Sequence, residues 1–267
     1  MIKINNNKIF AMKNTTLTFL VLLFGITTNI FSQEASPVSK SKKIQIGANF
    51  STDYCYRTLQ ENYNNNNILS NKLMISLRNK TENYKISYTS GLNVVYNLNR
   101  TIGIEAGIQF SNKGYQTKSQ TLTYGDMIDT NGGFINSTAE IYTNAYFVYN
   151  DYYIDIPLKA NFIFGKKKIR LITSAGITTN IFIIESTTSV LTKGDGSTKT
   201  VKQSGTYNYN SINLSPTISL GIDWRISNRH SLRVEPTFRY GILKIIDAPI
   251  TGYLWNAGLN VSYYFGL

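Results

Sequence analysis

The sequence contains little cysteine, histidine or charge. Its 267 residues include one cysteine and one histidine, and 16% of them are charged. A single cysteine, Cys55, excludes an intramolecular disulfide framework and a cysteine-based zinc site. A single histidine, His230, excludes a multi-histidine metal site. The charged fraction is well below the ~25% of ordinary soluble domains, which argues against a coiled coil or a Lys/Glu-rich helical bundle.

Long apolar runs are also scarce, and the clearest one lies near the N-terminus. Residues 1–32 contain three lysines and no acidic residue, and their apolar run is Leu17–Ile26. A basic start, a short apolar run and a polar exit are typical of a secretory signal peptide, whereas a membrane-spanning helix needs roughly 20 apolar residues. We therefore expect a signal peptide over 1–32 and a polar linker over 33–42. Met1 and Met12 would both serve as the start, and a retained anchor helix is the alternative.

The rest of the chain alternates between apolar and polar residues. In Thr101–Ser111 (TIGIEAGIQFS), for example, every second residue is apolar. A period of two over such a length is typical of a strand with one apolar face. The same pattern recurs in eight segments, which cover about 44–56, 86–96, 102–110, 152–162, 169–181, 212–224, 232–240 and 255–267.

Short and long connections alternate between these segments. The short ones are turn-like and comprise Asn97–Arg100, Gly165–Lys168 and Ser227–His230. The long ones are rich in Asn, Tyr, Thr and Gly and span about 58–84, 114–147, 182–208 and 242–252. This alternation is typical of transmembrane barrels, in which periplasmic turns are short and extracellular loops are long. We predict an all-β fold over residues 43–267, an eight-stranded antiparallel transmembrane β-barrel.

Aromatic residues favour a membrane location for this barrel. They cluster at the long-loop ends of the strands (Tyr54, Tyr56, Tyr152, Tyr153, Tyr240, Tyr253, Trp255) and at the short-turn ends (Tyr96, Phe162, Phe164, Trp224, Tyr263, Phe265). Two such belts are typical of the two bilayer interfaces. The alternative is a water-soluble barrel such as a lipocalin, with its apolar face inward. In that case Lys and Glu should be frequent on the other face, where Gly, Ser, Thr and Asn dominate instead.

If the apolar faces contact lipid, the opposite faces line the lumen. Successive residues of a strand face opposite sides, and we call the assignment of faces from this alternation parity. By parity, the lumen faces contain Asp53, Glu105, Asp155, Asp223, Glu235, Lys43, Arg57, Lys159, Arg170, Arg225, Arg233 and Arg239. The lumen of eight strands is just wide enough for side chains to fill, and an unpaired buried charge is costly. We predict a structural cluster of salt bridges formed by Glu105, Asp155, Lys159, Arg233, Glu235 and Arg239. A proton or solute path is the functional alternative.

Three prolines interrupt the predicted strands. Pro157, Pro216 and Pro236 each lack the N–H group that a strand donates to its neighbour. A closed barrel has no free edge to accommodate them, so we expect bulges or rim positions at these residues.

One set of residues superficially fits an enzyme that acts on lipid. His230 is adjacent to Ser231, and Glu235 follows four residues later. However, His230 lies in a predicted turn, Ser231 near the rim and Glu235 in the lumen. Phosphate-binding glycine motifs, metal-ligand spacings and nucleophile elbows are absent from the sequence, and Gly194–Gly196 is interpreted as a turn. We predict no catalytic residue, no cofactor and no metal site.

Several short motifs resemble one known family. Tyr152–Ala160 (YYIDIPLKA), Val234–Tyr240 (VEPTFRY), the closing NVSYYFGL and the FSQ exit of the leader resemble the PorT-like outer-membrane β-barrels of the Bacteroidota. The resemblance implies an outer-membrane location and no shared catalytic motif, and some family members are associated with protein secretion machinery. The alternating strand Leu259–Leu267 resembles the C-terminal signal that barrel-insertion machinery recognises.

The net charge of +12 does not indicate nucleic-acid binding, because the basic residues lie in turns and loops that would face phosphate-bearing lipid. We expect a non-enzymatic outer-membrane barrel that presents loops for binding or for assembly with an envelope or secretion complex. Its other expected partners are outer-membrane lipid and the insertion machinery. A narrow solute channel and a lipid-modifying enzyme are the alternatives.

Overall fold

The computed structural model describes residues 42–62, 68–122, 142–206 and 208–267. The predicted signal peptide and all of the predicted linker except its last residue lie outside these ranges, so both stay predictions. The described elements are β1 (Ile44–Glu61), α1 (Ile68–Thr81), β2 (Glu82–Asn83), β3 (Lys85–Asn97), β4 (Ile102–Thr117), β5 (Gln120–Thr121), β6 (Tyr142–Phe164), β7 (Ile169–Lys193), β8 (Thr198–Gly205), β9 (Ile212–Arg225), β10 (His230–Tyr240) and β11 (Ile250–Gly266). Within the described ranges, no helix has the length and apolarity needed to cross a membrane.

Eight of these strands form a closed antiparallel barrel, which confirms the predicted fold. Each pairs with the next in the order β1, β3, β4, β6, β7, β9, β10 and β11, and β11 pairs with β1 to close the ring. All eight strands belong to one compact unit. Because every strand has a partner on both sides, the backbone hydrogen bonds of the wall are satisfied without water.

The two faces of the wall are those predicted from parity. Ile46, Leu92, Ile108 and Ile218 are exposed on the outside, and their polar neighbours along each strand are buried inside. At the long-loop end, aromatic contacts run around the wall between β10 and β6. Ring centroids lie 5.2–6.4 Å apart in Phe238–Trp255, Trp255–Tyr56, Tyr54–Tyr84, Tyr88–Phe110 and Phe110–Tyr152. An apolar band bounded by aromatic residues is the surface that a bilayer requires.

The prolines do not produce the expected bulges. Pro157 faces a gap in the β4–β6 pairing, and Pro236 faces a gap in the β9–β10 pairing, but the register is the same on both sides of each gap. Pro216 lies just beyond the last β9–β10 pair, at the long-loop end of that pairing, which is close to the rim position expected. Each missing N–H is therefore accommodated by local loss of pairing on one side, without an inserted residue.

The long connections contain more regular structure than predicted. Segment 58–84, expected to be a loop, contains α1. Segments 114–147 and 182–208 contain strand residues, since β6 begins at Tyr142, β7 continues to Lys193 and β8 pairs back on β7. Residues 123–141 of the second segment lie outside the described ranges. These elements stand beyond the apolar band, where no lipid imposes an alternation of apolar and polar residues, so parity could not detect them.

Candidate functional site: the filled lumen and its mouth

Five charged side chains form a continuous chain across the lumen. Lys159 Nζ lies 2.8 Å from Glu105, whose other oxygen lies 3.3 Å from Arg233 Nη1. Arg233 Nε lies 3.0 Å from Asp223, which also contacts Arg170. Glu105 and Arg233 come from β4 and β10, which are diametrically opposite in the ring. These five side chains therefore span the full width of the barrel.

Two further ion pairs lie closer to the long-loop end. Arg239 Nη1 lies 3.4 Å from Asp53 Oδ2, and Lys113 Nζ lies 3.0 Å from Asp155 Oδ2. Neutral side chains complete the coordination of both carboxylates. Asn180, for example, donates to Asp155 at 2.7 Å. These four charges are thus paired, and both carboxylates also accept hydrogen bonds, as a low-dielectric interior requires.

The structure brings three of the six residues of the predicted cluster together and gives the other three different partners. Glu105, Lys159 and Arg233 contact one another as one group, whereas Asp155 and Arg239 pair with residues outside the predicted set. Glu235 is buried and accepts hydrogen bonds from the hydroxyls of two serines, Ser174 at 3.1 Å and Ser219 at 2.8 Å. Two residues of the wider lumen list are less buried than predicted, since Lys43 is exposed and Arg225 is half-buried.

Glycines provide the room for these long side chains. Gly258, Gly176 and Gly221 lie on strands next to Asp53, Lys159 and Glu235. A Cβ on Gly258 would lie 2.0 Å from Asp53 Oδ1, and one on Gly221 would lie 2.9 Å from Glu235 Cγ. The abundance of glycine on the polar faces therefore has a steric cause. Charged side chains lie across positions of the neighbouring strand at which glycine leaves room for them.

Apolar side chains fill the lumen near the short-turn end. Val95, Ile163, Ile172 and Tyr264 are buried there, although their positions fall on the faces predicted to be polar. The guanidinium of Arg233 lies over the ring of Tyr264, with Cζ 4.3 Å from the centroid. This cation–π contact joins the apolar layer to the five-charge chain above it.

A second apolar layer closes the long-loop end. We call it the mouth cluster, and it consists of Cys55, Tyr153, Ile245 and Leu254 with Phe182 and Tyr209 packed against them. The cavity below it has a volume of about 10 Å³, space for about one water molecule. Tyr153 was predicted to belong to the aromatic belt, and this assignment is wrong. It is buried inside the barrel because consecutive residues of a strand face opposite sides, and Tyr152 faces outward.

Two loops supply the upper part of the mouth cluster. Tyr209 comes from the β8–β9 connection, and its ring stacks on Phe182 with centroids 4.6 Å apart. Ile245 comes from the β10–β11 connection, and its carbonyl accepts a hydrogen bond from the Asn210 N–H at 2.9 Å. The mouth is thus closed by loops that are bonded to each other as well as to the wall.

Charged residues also connect α1 to the rim. Arg57 Nη2 lies 2.6 Å from Glu82 Oε1, and Arg78 Nε of α1 lies 2.9 Å from the same oxygen. The Arg57 guanidinium lies 3.4 Å from the ring centroid of Tyr115, which stacks on Tyr149. Glu82 therefore fixes the end of α1 over the barrel wall.

A strand hairpin projects beyond the aromatic belt. Ten residues of β6, 142–151, precede Tyr152, and at ~3.3 Å per residue they cover about 30 Å along the strand. They pair with β7, which pairs in turn with β8 through a turn at Gly194–Gly196. In that turn, the hydroxyl and N–H of Ser197 donate to Asp195 and hold the pKa of this carboxyl below its usual value. Almost every residue of β8 is exposed.

The residues that superficially suggested an enzyme do not form a catalytic group. The His230 ring lies on the outer face, where Nδ1 contacts the Tyr263 hydroxyl and the ring packs near Phe265. Ser231 and Glu235 are buried on the lumen side of the same strand. In the part of the chain that the structure describes, no three His, Cys, Asp or Glu side chains are placed to hold a metal ion.

Parity missed several buried charges at the mouth. Lys113 was not among the predicted lumen charges, because the alternating stretch Thr101–Ser111 ended two residues before it. Continuing the same alternation by two residues would have put Lys113 in the lumen. Lys85, Glu82 and Asp151 are also buried but lie where the predicted strands had ended.

The family to which this sequence is similar agrees with this architecture. A family model described as "outer membrane protein beta-barrel domain" matches residues 31–247. No curated protein matches the sequence. Among solved structures, the outer membrane protein OprG of Pseudomonas aeruginosa is similar at 10% identity, with 86% of this chain and 99% of that chain covered and a TM-score of 0.44. Neisserial surface protein A (8% identity, 88% and 100% covered) and the Escherichia coli outer membrane protease OmpT (8%, 87% and 99%) each give a TM-score of 0.41.

Proposed function

Because the chain belongs to the outer membrane protein beta-barrel domain family, we propose that it is a non-enzymatic, non-conducting barrel that presents its extracellular strands and loops for binding. One observation carries the proposal. The lumen is filled from end to end by an apolar layer, a series of ion pairs and the mouth cluster, whereas a four-strand sheet (β5 to β8) extends beyond the aromatic belt. A filled lumen supports a scaffold rather than a pore.

Further details belong to the same proposal. Motifs such as Tyr152–Ala160 support membership of the PorT-like barrels of the Bacteroidota, and with it assembly with an envelope or secretion complex. The signal peptide over 1–32 would deliver the chain across the inner membrane, and Leu259–Leu267 would be recognised by the insertion machinery. The six residues Glu105, Asp155, Lys159, Arg233, Glu235 and Arg239 would act structurally, by holding opposite strands together.

Planar-bilayer recording combined with site-specific photo-crosslinking tests this function. The reconstituted protein should show no stable conductance of the porin kind. In the native outer membrane, a photoreactive residue at Val201, on β8, should give discrete protein adducts. The matched control is Leu220, which is similarly exposed but lies in the apolar band, where adducts to lipid are expected. Large steady conductance, or protein adducts of equal yield at both sites, would contradict the proposal.

A further inference from the structure

Helix α1 exposes an apolar face that does not pack on the barrel. Leu73, Met74 and Leu77 are 73%, 46% and 54% exposed, whereas Asn71 is buried and Ile75 is half-buried. At about 100° per residue, the three exposed residues fall within a sector of about 100°. Asn71 and Ile75 lie on another side of the helix, which Arg78 shares and which faces the rim through Glu82. The apolar face is therefore available to something outside the barrel.

This face is continuous with the surface that contacts the membrane. α1 ends at Thr81, and the chain reaches Tyr84 three residues later, a distance of at most about 10 Å. Tyr84 is exposed, and its ring meets Tyr54 of the aromatic belt edge to face, with centroids 5.2 Å apart. The belt marks the level of the membrane interface. The C-terminal end of α1 thus lies close to that level.

The charge of α1 suits a lipid surface. The helix contains no acidic residue, and Lys72 and Lys80 are exposed on it. Lysine can bury its aliphatic stem beside apolar neighbours while its ammonium reaches lipid phosphate. An exposed apolar face on a helix whose exposed charges are lysines is typical of a helix that lies in the membrane interface.

We propose that α1 is an interfacial helix whose Leu73, Met74 and Leu77 insert into the outer leaflet around the barrel. Continuity with the belt favours lipid over a protein partner as the occupant of this face. The inference depends on the barrel fold and is independent of the binding function proposed above. Through Arg78 and Glu82, contact with lipid would also restrain the rim.

Depth-dependent quenching tests the insertion. In the full chain carrying Cys55→Ser, single cysteines replace Leu73 or Leu77 and carry an NBD fluorophore, in phosphatidylcholine vesicles with or without spin-labelled phosphatidylcholine. The matched control is Asn79→Cys, an exposed position of the same helix at least 120° away from Leu73, Met74 and Leu77. We expect blue-shifted emission and several-fold stronger quenching by spin-labelled lipid at positions 73 and 77 than at 79. Heat-modifiable gel migration verifies that each variant is folded.

Two results would overturn the inference. One is equal quenching at positions 73, 77 and 79 by the spin-labelled lipid and by aqueous iodide, which would place the whole helix in water. The other is lipid-independent shielding at Leu73 that increases with protein concentration, which would mean that a second copy covers the face. Either result leaves the conductance and crosslinking tests of the proposed function unaffected.

Discussion

Glu105 is the residue whose removal should most clearly reveal the role of the lumen charges. It is fully buried and contacts Lys159 at 2.8 Å, Arg233 at 3.3 Å and Asn161 at 2.8 Å. In Glu105→Ala, Arg233 keeps its contact with Asp223, but buried Lys159 loses its carboxylate. Removing one partner of a buried pair costs about 3–5 kcal/mol because the other charge stays buried and uncompensated. We expect the free energy of unfolding to fall by that amount.

Urea titration of the folded barrel in lipid vesicles measures this change, with the fluorescence of Trp224 and Trp255 as the signal. The control is Asp247→Ala, which removes an exposed ion pair with Lys244, 4.0 Å apart, and should cost at most about 1 kcal/mol. The double variant Glu105→Ala/Lys159→Ala should be more stable than the sum of the single effects predicts, by about 0.5–3 kcal/mol. Two results would refute a structural role for the ion pairs across the lumen. One is an equal loss of unfolding free energy in Glu105→Ala and Asp247→Ala, and the other is strict additivity of the Glu105→Ala and Lys159→Ala effects in the double variant.

Three further substitutions test the wall, the glycines and the mouth. Ile104→Arg, in the apolar band, should lower the free energy of unfolding by about 2–4 kcal/mol or block insertion. Val201→Arg on β8 has similar exposure and should be neutral. Equal effects of the two substitutions in a folding assay would contradict the assigned band. Gly221→Ala should lower the free energy of unfolding by about 1–3 kcal/mol, since the new Cβ would lie 2.1 Å from a backbone oxygen. The Cβ of Gly194→Ala would have its nearest neighbour at 3.7 Å, so this variant should be tolerated. Urea titration distinguishes the two. Tyr153→Ala should cost about 3 kcal/mol or more without creating a porin-sized conductance, because the wall limits the pore, and bilayer recording checks this.

The sequence by itself determined the wall of this protein. A strand must alternate its side chains, and a lipid-facing strand must be apolar on every second residue, so segments such as Thr101–Ser111 revealed both the strand and its outward face. Short and long connections then indicated the order of the strands around the barrel. These features depend on neighbours along the chain and on the solvent, and both can be inferred from sequence.

Only the tertiary structure decided what fills the barrel and what stands above it. The contact of Glu105 with Arg233 crosses the full diameter and depends on the tilt and stagger of eight strands, which no local pattern encodes. Tyr153 and α1 show the same limit. The side on which Tyr153 lies was obscured by a second aromatic residue beside it. Helix α1 stands above the barrel, where the period of two that marks the wall does not apply. Contacts between residues distant in the chain form only once the ring closes, and their identity is a property of the closed barrel.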